Sequence, residues 1–76
     1  MRLICEIAAD IRKHWKNVYF GAAPYLEAMR HLTTLDSKYG VDDCKYIITY
    51  FLGNAATFRG PEARRIKAEL QSMLKG

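Results

Sequence analysis

Tyr46-Ile47-Ile48-Thr49-Tyr50-Phe51-Leu52 is the stretch on which the fold class turns. Rich in β-branched and aromatic residues, it has the composition of a strand. Its surroundings point the other way. Asp42 or Asp43 can cap a helix, and Cys44, Ile47, Ile48, Phe51, Leu52 and Ala55 recur at the spacing of one buried helical stripe. Helical context and capping decide for a helix that weakens or ends at Gly53-Asn54. Ala55-Ala56-Thr57-Phe58 then continues the turn or packs as a connection.

Working outward, three further segments show the same helical period. From Arg2 to about Lys16, Ile4, Ile7, Ala8, Ile11 and Trp15 form a stripe, with acids early and cations late in accord with the helix dipole. Pro24 sits at or near the first turn of a second helix, whose stripe is Tyr25, Leu26, Met29, Leu32, Leu35 and Tyr39, with Gly40 as its stop and a weak point near Asp36. Gly60 and Pro61 open a last helix to about Lys75, with Ala63, Ile66, Leu70, Met73 and Leu74 inward and an Arg65–Glu69 pair across one turn. The expected architecture is all-α, a compact bundle of about four short helices forming a single domain over residues 1–76.

Seventy-six residues, half of them hydrophobic, allow only a modest core. Two cysteines cannot make a dense disulfide framework, so self-association is the remaining source of support, and a homo-oligomer is open. The N-terminal segment carries Glu6 and Asp10 where a signal peptide would be uninterrupted and apolar, and no apolar run approaches the roughly 20 residues of a membrane span. The chain reads as cytoplasmic, without a membrane partner, and Cys5 and Cys44 as reduced, buried thiols.

The net charge of +4 is mild, but two clusters concentrate it. Arg59, Arg64, Arg65 and Lys67 surround Glu62 at the start of the last helix, and Arg12, Lys13 and Lys16 surround His14 and Trp15 near the end of the first. A helix N-terminus flanked by cations attracts anions, and Phe58 could cover a base there. The plain alternative is two solvated helix faces. Trp15, Tyr19 and Phe20 beside the first cluster could form an interface hot spot or stack on a base.

Catalytic and metal signatures are missing from the pattern. His14 and His31 fall on different helices with no metal-ligand spacing beside them, and both cysteines lie on apolar stripes that disfavour a thiolate. Gly53 to Gly60 lacks the Gly-Lys-Ser/Thr ending of a phosphate loop. No enzyme activity and no cofactor are expected. Helices three and four with their Gly-containing link have roughly a helix-turn-helix arrangement, yet the link is long and only Gln71 could read bases from the last helix.

Trp15-Lys16-Asn17, Pro24-Tyr25-Leu26-Glu27-Ala28-Met29, Tyr50-Phe51-Leu52-Gly53-Asn54-Ala55 and Phe58 to Lys67 carry a resemblance over nearly the full length. On these segments the chain resembles small accessory proteins encoded by phages, plasmids and other mobile elements of Gram-positive bacteria. The resemblance implies a non-enzymatic role in binding a host component, such as a defence complex or a nucleotide signal, and supplies no site residues.

The residues themselves nominate Trp15, Tyr19, Phe58, Arg59, Arg64, Arg65 and Lys67 as the partner- or anion-binding set. The leading expectation is capture of a host protein through a basic, aromatic surface. Nucleic-acid binding, and an oligomer that sequesters a nucleotide, are the alternatives.

Overall fold

Gly60 marks where the last helix begins: its φ of +109° lies in a region that residues with a Cβ rarely enter, and its carbonyl accepts the Arg64 N–H at 2.9 Å. Pro61 follows at the first helical position, where no N–H is needed. The computed structural model describes residues 2–34, 38–39 and 42–75. Its helices are α1 (Ile4–His14), α2 (Ala23–Met29), α3 (Cys44–Gly53) and α4 (Pro61–Lys75). The fold is all-α. Among the described residues its one ladder is a two-residue pairing of β1 (Lys38–Tyr39) with β2 (Asp42–Asp43), antiparallel, which leads into α3.

The disputed stretch is helical, as its context requires. Ile47, Ile48 and Phe51 of α3 are buried with Cys44, and Ala55 beyond the helix end is buried too. The cap differs in kind from the expectation. Asp43 occupies the N-cap position with extended backbone but makes no side-chain cap bond, so the short β pairing, rather than a carboxylate cap, sets the entry into the helix.

Helix α1 obtains its start from a distant segment. Its first amides, Ile4 and Cys5, donate to the carbonyls of Thr33 and Leu32 at 2.8 and 2.9 Å, and Glu6 Oε1 accepts the Leu3 N–H at 2.8 Å. These contacts satisfy the donors that any helix start leaves without an intrahelical partner.

The same contacts explain the largest departure from the sequence reading. The second helix was expected to continue through Leu32 towards Tyr39, yet it ends at Met29. Arg30, His31 and Leu32 turn more tightly, each N–H donating to the carbonyl three residues back, and the freed carbonyls of Leu32 and Thr33 receive α1. Leu32 stays in the core all the same, and Tyr39 lies in β1. Leu35, the weak point at Asp36 and the stop at Gly40 fall outside the described residues.

Helix α1 packs against α2 and α4, and α3 packs against the same two, so all four enclose one apolar cluster. Ile4, Ile7, Ala8 and Ile11 enter from α1, Leu26 and Met29 from α2, and Ile66, Leu70 and Met73 from α4. No polar or charged residue is buried among the described residues.

At one end of this core three aromatic rings meet. Trp15 stacks on Phe58, with centroids 5.0 Å apart and planes at 16°, and meets Phe51 edge-on at 6.1 Å. Both geometries suit the ring quadrupoles. The trio ties the end of α1 to α3 and to the segment that launches α4. Trp15→Ala should cost about 3–5 kcal/mol, much of the stability expected of so small a domain. Urea unfolding followed by far-ultraviolet circular dichroism measures it, and a loss below about 1 kcal/mol would show that the trio does not anchor the fold.

Candidate functional site

The start of α4 has two faces with opposite electrostatic fates, and adjacent arginines mark them. Arg65 turns towards α1, where its guanidinium meets Asp10 Oδ2 at 3.1 Å and Glu62 Oε2 at 2.7 Å. Asp10 also accepts from Arg2 at 2.8 Å, and Arg2 forks onto Glu69. His14 completes the network, its Nδ1 3.1 Å from Asp10 Oδ1 and its Nε2 3.8 Å from Glu62.

The pairing shifts the carboxyl groups in one direction. Arg2 and then Arg65 hold Asp10 below its ordinary range, Arg2 does the same for Glu69, and Arg65 for Glu62. Glu69 therefore pairs with Arg2, and the expected Arg65–Glu69 pair across one helical turn is replaced by bonds to Glu62 and to Asp10 on another helix. Arg65, one of the nominated residues, is thus ion-paired within the fold and stands apart from Arg59, Arg64 and Lys67.

Arg64 projects from the other face. With Arg59 and Lys67 it lines a groove of about 320 Å³, completed by Phe58, Gly60 and Ala63. Four of the seven nominated residues, Phe58, Arg59, Arg64 and Lys67, thus come together. Among the described residues no carboxylate stands within ion-pair range of Arg59, Arg64 or Lys67. Lys67 Nζ lies 5.8 Å from the Phe58 ring centroid in a cation–π arrangement. Partial burial, and then repulsion from Arg59, lower the Lys67 pKa, so this ammonium sits in an electropositive neighbourhood. Arg59 Nε donates to the Ala56 carbonyl at 3.3 Å, which steadies its stem while the side chain stays exposed.

Two nominated aromatics have a different role from the one expected. Phe58 is 1% exposed and Trp15 6%, stacked on each other, so neither offers a ring face to a base or a partner. They build the floor that holds the groove. Tyr19 is exposed as expected, but it lines a separate depression with Gly53, Asn54, Ala56 and Thr57.

The first basic cluster is partly neutralised. Arg12 pairs with Glu27 across to α2 and His14 faces Asp10, leaving Lys13 and Lys16 exposed. Cys44 is fully buried, which pushes its thiol pKa up, and Cys5 is partly buried. Among the described residues no group of three His, Cys, Asp or Glu side chains is placed to hold a metal ion, and no helix is long and apolar enough to cross a membrane.

Sequence reasoning missed the network around Asp10. Its members span residues 2 to 69, and only the His14–Asp10 and Arg65–Glu62 contacts follow local helical spacing, while Arg2–Glu69 and Arg65–Asp10 join distant segments. No protein-family model matches the chain, and neither the curated proteins nor the solved structures contain a significant match to it.

The network has a pH signature. Folding lowers the pKa of Asp10 and Glu69, so their contribution is fully present above their unfolded values and is lost as pH falls through the folded ones, below about pH 4. Asp10→Asn should therefore lower the thermal midpoint clearly at pH 7 and much less near pH 2.5. An equal gap at both would mean that the Asp10 charge contributes nothing.

Proposed function

We propose that the protein is a non-enzymatic binding module that captures an anionic surface of a macromolecular partner in the groove formed by Arg59, Arg64 and Lys67. One observation carries this reading. Among the described residues, three cations share one rim with no acid in ion-pair range, although the opposite face of the same helix is closely paired with acids. An isolated basic rim is electrostatically unsatisfied until an anion arrives, and a phosphate or carboxylate accepts charge-assisted bonds from arginine in a fixed fork geometry. The helix dipole at the Gly60–Pro61 start adds to the same field.

The occupant proposed is a host protein with an acidic segment, the role that a resemblance to small mobile-element proteins implies. A stacked nucleotide fits less well, because Phe58 is covered by Trp15 and offers no free face. Helix-turn-helix binding to DNA is also weakly supported. Residues 54–60 separate α3 from α4, whereas that motif uses a turn of three or four residues.

Capture experiments at low salt test the proposal. Arg64→Glu combined with Lys67→Glu should reduce partner capture at least tenfold while leaving the helical circular dichroism intact, and added salt should weaken capture by the unchanged chain. Undiminished capture by the double variant would refute the groove. Retardation of random duplex DNA at micromolar protein would instead transfer the site to nucleic acid.

A further inference from the structure

The core stripe of α3 faces inward, yet its outward side carries two exposed aromatic rings as well. Thr49, Tyr50 and Gly53 lie three, four and seven residues after Tyr46, which places them on one face. All four are exposed. Tyr46 and Tyr50 stack at 6.1 Å with planes at 12°, and Tyr50 stacks in turn on Tyr25 of α2 at 5.6 Å. Two polar side chains on this side bond to the helix's own backbone. Thr49 Oγ1 donates to the Lys45 carbonyl at 2.7 Å, and Asn54 Nδ2 donates to the Tyr50 carbonyl at 2.8 Å.

The face continues past the end of α3. Tyr19 borders the same depression as Gly53 and Asn54, and Phe20 packs on Tyr19 with ring centroids 4.7 Å apart. Phe20 is 81% exposed, Tyr46 60%, Tyr50 51% and Tyr19 42%. At about 200 Å² for each ring side chain, these four leave roughly 450 Å² of aromatic surface uncovered. That is more than half of the approximately 800 Å² each partner brings to a standard interface, with Thr49, Gly53, Thr57 and their neighbours available for the rest.

We propose that this face is where two copies of the chain associate about a two-fold axis, with α3 antiparallel to its counterpart and Phe20 of each copy seated beside Tyr46 of the other. Three features select a second copy as the occupant. The only charged side chains that border Tyr46, Thr49, Tyr50, Gly53, Tyr19 and Phe20 in the described grooves are Asp43 and Lys45, which offset each other, so the face offers no cluster of cations of the kind a nucleic-acid backbone requires. A groove of about 300 Å³, lined by Asp43, Lys45, Tyr46 and Thr49, lies at the end of the stripe opposite Phe20. A two-fold axis near Thr49 and Tyr50 brings each Phe20 to the other copy's groove, so one knob and one hole are matched twice. Gly53 has open space where a Cβ would stand, which permits a close helix approach. The contact would also add buried surface to a domain whose own core is small.

Sedimentation equilibrium of the full chain, from about 10 μM to about 1 mM, reads the association directly. A concentration-dependent monomer–dimer equilibrium is expected, with Phe20→Ser and Tyr50→Arg each weakening it at least tenfold while the helical signal is retained. Phe20 is so exposed that its replacement tests the contact even if Tyr50→Arg disturbs the fold. Thr49→Cys, in a Cys5→Ser background, should cross-link two copies under mild oxidation, as a position beside the axis must. A monomer throughout the range, or a dimer indifferent to both substitutions, would overturn the proposal. So would a monomer that binds single-stranded oligonucleotide through these tyrosines.

Discussion

The stack of Trp15 on Phe58, braced edge-on against Phe51, is the contact on which the rest of the structure depends. It joins the last turn of α1's buried stripe to α3 and to the segment before α4. By holding Phe58 inside, it fixes where the chain emerges at Arg59 and turns through Gly60 into α4. Both faces of that helix inherit their positions from this anchor. The groove stands on it directly, since Phe58 forms the floor and Lys67 reaches over the ring. A packed apolar floor beneath a site lowers the ordering cost of binding in general, because the scaffold is already in place.

Electrostatics then divides α4. Successive residues on a helix point about 100° apart, so Arg64 and Arg65 address different surroundings. Arg65 meets the Asp10 carboxylate of α1 and joins a network running from Arg2 to Glu69. Arg64 points away from α1 and shares its face with Lys67, three residues on. One side of α4 thus fastens α1 to α4, while on the other Arg59, Arg64 and Lys67 have no carboxylate in ion-pair range among the described residues. The aromatic side of α3 adds a third surface, bordered by Asp43 and Lys45. A small domain can present anion capture and self-association without conflict when the two use different faces.

Much of this was legible in the sequence, and what was not has physical causes. The stripes of α1, α3 and α4 could be read because burial selects apolar residues at helical intervals, and Gly60-Pro61 fixed the start of α4 through backbone chemistry alone. The length of α2 was not legible: its last turns give up helical geometry so that Leu32 and Thr33 can cap α1, a bond between segments some 28 residues apart. Arg59, Arg64 and Lys67 came together as local spacing suggested, but Arg65 was claimed by Asp10 from 55 residues away. Trp15 and Phe58 were read as surface aromatics as well as core candidates. Composition cannot rank two large rings by depth when the packing that buries them comes from three segments.

The central claim is that the groove above the Trp15–Phe58 stack is where an anionic partner binds. Nuclear magnetic resonance of the ¹⁵N-labelled chain, titrated with a short polyglutamate peptide at low salt, tests it most directly. The account predicts shifts confined to the backbone amides from Phe58 to Lys67, fading as salt is added, with the amides around Lys13 and Lys16 scarcely moving. Shifts centred on that first basic run, or none at millimolar peptide, would contradict it.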